Sequence, residues 1–295
     1  MVWRGSLDSL DRAAILGVVM GSTRRVKHAW LRALGIEDLP ARFTLPDGEY
    51  LHVRTYKHDF FAATGLYEGP GGRVILKVGR TARLLGLPMA WLGRWLCRRE
   101  LAIYQRADGV EGVPRCLGGL GPTGLLHAFV EGHPLQRGER VDDAFFARLE
   151  RLLSSLHQRD IAYADLEKRE NILVDADGRP ALIDFQISWC WPRDQAARPR
   201  GPGRILPGFI GRYILTRLRA ADQYHLLKHW RRHRPDLLTA EQLHASYQVG
   251  LLIRLHRRIS WPFTRVRRSL LKLLTGRSRS PKQDGPQFVD QPPSR

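Results

Sequence analysis

Ala162–Ser188, AYADLEKRENILVDADGRPALIDFQIS, is the stretch that decides how this chain is read. Two short apolar runs, Asn171-Ile172-Leu173-Val174 and Ala181-Leu182-Ile183, flank Asp175-Ala176-Asp177-Gly178-Arg179-Pro180. Asp-Gly supplies the positive φ that a tight reversal needs, so the spacing predicts a β-hairpin. Asp165 and Asn171 precede the first strand and Asp184 closes the second. A hairpin folds those ends together and gathers two carboxylates and an amide in one region. Such hard oxygen donors suit Mg2+, which takes one or two carboxylates together with phosphate oxygens. An ordinary surface hairpin with solvated acids would carry the same pattern.

These residues resemble the catalytic loop and metal-binding segment of the protein-kinase-like superfamily. The resemblance implies that Asp165 is the catalytic Asp, receiving the proton of an attacking hydroxyl, and that Asn171 and Asp184 are metal ligands. The chain departs from the usual pattern in three places. Tyr163-Ala164-Asp165 stands for His-Arg-Asp, Asp184-Phe185-Gln186 for Asp-Phe-Gly, and the gap from Asp165 to Asn171 is one residue longer than usual. A rival register on His157-Gln158-Arg159-Asp160 would put its Asp eleven positions before Asn171, too far for one tight loop. His157 fits instead as the end of a helix over Phe145–His157, whose Phe146, Leu149, Leu152, Leu153 and Leu156 form an apolar stripe.

Toward the N-terminus, Leu51–Tyr56, Phe60–Tyr67 and Arg73–Val78 read as a β-meander, with Glu68–Gly72 as a turn. A lysine in a strand is by itself as readily a solvated edge residue. The resemblance makes Lys77, ending the run Val74-Ile75-Leu76, the residue that grips the α and β phosphates of ATP. It makes Glu100 its partner on the helix before Tyr104, since Glu100 is the only acidic residue between Lys77 and Asp108. No G-x-G-x-x-G loop is present; a phosphate cover, if built at all, falls in Phe60–Gly65. Leu125–Gly132 resembles the fifth strand and hinge, which places Glu131 and the backbone near Phe129 at the nucleotide base.

Toward the C-terminus there is no Ala-Pro-Glu motif and no activation-loop phosphosite. The arginine that would dock a phosphorylated loop is missing before Asp165. An Arg, Gly and Pro-rich linker, Arg193–Pro207, leads to helices expected over Phe209–Leu218, Ala220–His233, Leu238–Tyr247 and Leu251–Leu274. In the second of these, the resemblance gives Asp222 the task of anchoring the catalytic-loop backbone. Ser9–Met20 and Arg25–Leu34 are further candidate helices in an N-terminal extension.

Charge is the strongest compositional signal. The formal net charge is +19 over 295 residues, and Arg193–Arg279 carries 20 Lys and Arg against 4 Asp and Glu. Such an imbalance implies an anionic partner, whether nucleic acid, an anionic membrane face or a phosphorylated glycan. No aromatic-stacking RNA motif is visible, so nucleic acid is not expected. The apolar residues of Leu251–Leu274 would serve either as a membrane-surface face or as a closing helix pair packed on the core. Cys97, Cys116 and Cys190 share no metal or disulfide spacing, which favours a reducing compartment. There is no signal peptide and no apolar run of about 18 residues or more.

The expectation is therefore an α+β, two-lobed protein-kinase-like fold with a small β-rich N-lobe and a short helical C-lobe. Its parts would be an extension over 1–49, an N-lobe over 50–130, a C-lobe with basic helices over 131–275 and a disordered tail over 276–295. The short C-lobe, the Lys-Arg insert after Asp165 and the Asp-Phe-Gln variant are most similar to bacterial lipopolysaccharide-core kinases and RIO-like atypical kinases. That resemblance implies an ATP- and Mg2+-dependent kinase acting on a hydroxyl of an envelope glycolipid, cytoplasmic and peripheral on the inner face of the membrane. Its site residues would be Asp165, Lys77, Glu100, Lys168, Glu131, Asn171 and Asp184, with Lys168 reaching the γ-phosphate. The alternatives are a serine/threonine protein kinase and a non-catalytic pseudokinase scaffold.

Overall fold

A computed structural model describes residues 29–84, 86–191 and 207–247. The chain divides into two compact units, Met1–Asp108 with Pro114–Phe129, and Gly109–Val113 with Val130–Arg295. The fold class is α+β, with one β-rich unit and one mainly helical unit, as expected.

The first unit is built on a six-stranded antiparallel sheet of order β1-β2-β3-β4-β6-β5. Its strands are β1 (Arg42–Leu45), β2 (Gly48–His58), β3 (Ala62–Gly69), β4 (Gly72–Gly79), β5 (Cys116–Leu120) and β6 (Gly124–Ala128). Alternating side chains put Tyr50, Tyr67, Val74, Leu76 and Leu126 on one face, where they bury Phe43 of β1. One helix, α1 (Ala90–Arg106), covers this unit. It approaches the end of β4 closely, because Gly79 and Gly93 meet there without side chains. A Cβ on Gly93 would fall 2.1 Å from the Arg80 carbonyl oxygen. That contact sets the height of α1 against the strand that carries Lys77.

The expected extension is partly structural. β1 pairs with β2 through the two-residue turn Pro46-Asp47, and Asp47 accepts a 2.6 Å hydrogen bond from the Tyr50 hydroxyl. Of the expected helix Arg25–Leu34, the described part is one 3-10 turn, Ala29–Leu31. Arg80, fully buried, donates to the carbonyls of Trp30 (2.8 Å) and Phe60 (2.9 Å) and lies over the Phe60 ring, which ties this segment to the sheet. A buried guanidinium is tolerated because both terminal nitrogens donate to backbone carbonyls; Nε, also buried, has no hydrogen-bond partner among the described residues.

The second unit begins with β7 (Gly132–Pro134) and α2 (Phe145–Gln158). Phe146, Leu149, Leu152, Leu153 and Leu156 of α2 are all buried, so the apolar stripe lies where its spacing put it. Next come β8 (Ile161–Ala162), β9 (Ile172–Asp175), β10 (Pro180–Leu182) and β11 (Trp189–Cys190). β9 and β10 form the expected hairpin, flanked by β7 in the order β10-β9-β7. Gly178 takes φ +72°, and Asp175 Oδ1 accepts from the amides of Asp177 and Arg179 at 3.0 and 2.7 Å, which closes the turn. β11 pairs antiparallel with β8, Trp189 opposite Ala162, so the stretch from 162 to 188 leaves and returns at one place.

After Pro207 the two expected helices are one, α3 (Gly208–His233), uninterrupted at Arg219. The separation was misread because α3 buries polar groups, Asp222, His225, Lys228 and His229, among its apolar ones, which blurs the apolar period. The expected helix Leu238–Tyr247 is shorter, α4 (Ala240–Ala245), and starts at a capping box in which Thr239 and Gln242 bond reciprocally. The expected helices Ser9–Met20 and Leu251–Leu274, the linker from Arg193 and the tail 276–295 lie outside the described residues. No helix among the described residues is long and apolar enough to cross a membrane.

Candidate active site

The loop that carries Asp165 begins where β8 ends. Ala164 has φ +65°, a left-handed conformation that an L-residue holds only when its surroundings fix it. Asp222 of α3 supplies that fixation. Its carboxylate, 1 % exposed, accepts from the amide of Tyr163 and from that of Ala164, each at 2.8 Å. The resemblance implied such an anchoring role for Asp222, and these two hydrogen bonds tie the loop backbone to α3. His157 Nε2 lies 3.0 Å from the same carboxylate, so the residue that ends the α2 stripe also braces the loop's anchor.

Three of the expected site residues meet at one carboxylate oxygen. Asp165 Oδ2 accepts from Lys168 Nζ at 2.7 Å and from Asn171 Nδ2 at 2.8 Å. Burial pushes the Asp165 carboxyl up, Lys168 pulls it back and Asp184 pushes it up again, for a net upward shift. Burial works against the charge on Lys168, but Asp165 outweighs it and the ammonium is held above its ordinary range. Asp184 lies two residues past the end of β10, with φ +60°, also left-handed. Phe185 beside it is fully buried and meets the Tyr163 ring edge-on at 5.1 Å. The Tyr163 hydroxyl donates to the Ile183 carbonyl, and Ser188 Oγ donates to the Tyr163 carbonyl at 2.8 Å. Tyr163 thus couples the Asp165 loop to the backbone just before Asp184.

The donor set fits Mg2+. Asn171 gives its amide N–H to Asp165, so its oxygen would be the atom to meet a metal, and Asp184 adds a carboxylate close enough to perturb Asp165. Among the described residues no group of three or more His, Cys, Asp or Glu is gathered. Mg2+ needs none, since phosphate oxygens and water complete its octahedron.

In the first unit, Lys77 Nζ donates to Glu100 Oε1 at 2.9 Å, joining β4 to α1. Both side chains are largely buried, 12 % and 4 % exposed, which fixes the ammonium in direction. Phe60–Gly65, the expected phosphate cover, forms the β2–β3 turn and the start of β3, where Asp59 Oδ1 accepts from the amides of Phe61 and Ala62 at 2.8 and 2.9 Å. Glu131 is exposed, just past the boundary of the first unit at Phe129.

Sequence reasoning passed over His157, Tyr163, Ser188 and His229. The last of these, on α3, has its Nε2 2.8 Å from the Leu166 carbonyl oxygen. A replaced family position was a usable signal for Tyr163. For the others no local signal exists, because their partners lie far along the chain.

No family model matches this chain. A serine/threonine-protein kinase, sck1 of Schizosaccharomyces pombe, is 54 % identical over 44 residues, which is 15 % of this chain and 6 % of that protein. Among solved structures, the Rio2 kinase from Chaetomium thermophilum gives a TM-score of 0.45 at 18 % identity, covering 65 % of this chain and 60 % of that one. The Rio2 kinase-ADP/Mg2+-phosphoaspartate complex from the same organism gives 0.45 at 16 % identity, covering 77 % and 71 %. The chain thus spans a small fraction of the curated relative and about three fifths of the first of these structures.

Proposed function

We propose that this protein is a kinase that transfers the γ-phosphoryl group of ATP to a hydroxyl acceptor. The observation that carries the reading is the single carboxylate oxygen of Asp165, held between Lys168 and Asn171 on a loop whose backbone Asp222 pins. In this reading the acceptor oxygen forms a bond to the γ-phosphorus as the bond to the β–γ bridging oxygen breaks. ADP leaves, and the acceptor proton passes to Asp165, whose raised carboxyl pKa suits a proton acceptor. Lys77, directed by Glu100, takes the α and β phosphates, and Lys168 takes the γ-phosphate. Glu131 and the backbone beside it take the base. Bound Mg2+, held by Asn171 and Asp184, would neutralise phosphate charge. Positioning and charge stabilisation account for most of such a reaction.

For the acceptor, the reading is a sugar hydroxyl of an anionic envelope glycolipid, met by a cytoplasmic enzyme at the inner membrane face. The excess of arginine and lysine over Arg193–Arg279 supports it, since anionic headgroups attract such segments at roughly 1 kcal/mol per charge. The short match to a serine/threonine-protein kinase favours a second reading, a protein acceptor. The test is Mg-ATP turnover by the full-length protein and by Asp165→Ala, with extracted envelope glycolipid or a Ser/Thr-containing protein mixture. Phosphate on the glycolipid, lost in the variant, is the expected result. Transfer to protein alone selects the second reading. Nucleotide binding without turnover, unchanged in the variant, makes the protein a pseudokinase.

A further inference from the structure

We propose that His229 is a positioning residue for the transfer reaction, holding the Leu166–Glu167 peptide just beyond Asp165 while Asp222 holds two peptides on its N-terminal side. The proposal rests on the phosphotransfer reading of Asp165 and extends it to a residue that reading does not use.

Asp222 and His229 lie about two turns apart, on the same face of α3. Asp222 receives the amides of Tyr163 and Ala164, and His229 reaches the carbonyl of Leu166. The backbone is therefore gripped on both sides of Asp165 by one rigid element. With a grip on the N-terminal side alone, the segment after Asp165 would be tied chiefly by its own turn, where Lys168 N–H meets the Asp165 carbonyl at 3.2 Å, and the left-handed Ala164 gives the loop a reason to relax. With both grips the carboxylate direction follows the helix. A group that accepts a proton must be placed to within about half an ångström, so that fixation bears on rate.

The histidine itself argues for this role. Its ring is 1 % exposed, and its Nδ1 is buried with no hydrogen-bond partner among the described residues. A ring that served only to fill space would be better replaced by an apolar one, because burying an unpaired polar atom is costly. The one hydrogen bond it makes is to the loop. Since a carbonyl can only accept, Nε2 carries the proton, and the ring is a neutral donor. Lys228 reaches Glu167 from the next position on α3 at 3.1 Å, but the Glu167 side chain is 58 % exposed, so that pair holds the loop far less firmly.

The test uses the full-length protein with His229→Ala and His229→Gln, the latter keeping a side-chain donor. Hydrogen exchange of amides 163–168, ATP affinity and Mg-ATP turnover are measured together. The expected result for His229→Ala is faster exchange confined to that loop and a fall in kcat of tenfold or more. KM for ATP stays within twofold, and His229→Gln recovers most of both losses. Exchange that rises equally through α2 and α3, with Gln no better than Ala, would make His229 a packing residue and overturn the proposal. Unchanged exchange at 163–168 would also overturn it. If the wild type turns over no ATP, the phosphotransfer reading fails and the catalytic role of His229 fails with it, while the exchange pattern still decides whether His229 holds the loop.

Discussion

Each unit of this protein contains one lysine–carboxylate pair expected at the site, and the two pairs are built differently. Lys77 and Glu100 are 12 % and 4 % exposed, so both charges are out of water and the 2.9 Å contact has little freedom. Asp165 is equally withdrawn at 9 %, but its partner Lys168 is 57 % exposed, and Asp165 shares the same oxygen with Asn171. The first pair fixes a cation in place. The second keeps a carboxylate in place and lets the cation move. Under the proposed function this contrast has a use: a lysine gripping phosphates that do not react needs the former, and one meeting a phosphoryl in transit is served by the latter.

The comparison breaks most completely at Asp165. Asp165→Ala removes the proposed acceptor for the hydroxyl proton, and under that proposal turnover of Mg-ATP should fall by about 10²–10⁴-fold. Thermal melting should still show one cooperative fold, because the hairpin and the Asp222 anchor do not depend on that side chain. Retained turnover would remove Asp165 from the chemistry.

The Asp165 side of this comparison was legible in the sequence and much of its support was not. Asp-Gly at Asp177-Gly178 announced the hairpin, and the eleven positions from Asp160 to Asn171, with His157 ending the α2 stripe, excluded the rival register on Asp160. Lys77 stood out by the resemblance of its strand and Glu100 because acids are scarce in that part of the chain, and the structure pairs them. The missed β1 had its own signal, Asp47-Gly48 between two short β-favouring runs, but at four residues it read as part of an extension. α3 was misread as two helices because its buried side includes Asp222 and His229, which a hydropathy pattern counts as surface. Those polar positions are buried because they bond to loop peptides more than fifty residues away, a partnership that no local pattern encodes.

Stability should separate the two pairs next. Glu100→Ala removes the carboxylate from a buried ammonium, a change that typically costs about 3–5 kcal/mol when a buried pair is broken. A urea midpoint for Glu100→Ala indistinguishable from wild type would mean that Lys77 reaches water and that the pair is not closed.

Acid should act on both units through one histidine in each, the buried His229 and the part-buried His58. Burial lowers His229 to about 4, and burial together with Arg32 lowers His58 to about 4, against 6.5 for the free ring. Below pH 6.5 the unfolded chain takes up protons that the folded chain refuses until about pH 4. Stability is therefore full above pH 6.5 and falls as the pH drops through that window. For His229, almost wholly buried, the loss between pH 7 and 5 should be on the order of 2 kcal/mol, with less from the more exposed His58. His229→Gln should flatten the decline in urea midpoint over this range; an equal slope in wild type and variant would exclude His229 as its source.

The smallest effect on stability is expected at Lys168, and it is the most informative about why the second pair is open. An exposed ammonium contributes within about 1 kcal/mol, so Lys168→Ala should leave the urea midpoint nearly unchanged. Its effect on Asp165 is larger than its effect on the fold. Lys168 pulls the Asp165 carboxyl down against burial, so its removal lets that pKa rise. Turnover that needs the ionised carboxylate is lost below that pKa, and the acid limb of kcat/KM against pH should therefore move toward neutrality in Lys168→Ala. Lys168→Arg, which keeps the charge, should hold the limb near its wild-type position. A fall in turnover with an unmoved limb would place Lys168 on the phosphate alone. An unmoved limb with unchanged turnover would mean that the Lys168–Asp165 contact belongs to the resting loop, and that the two pairs differ in burial but not in task.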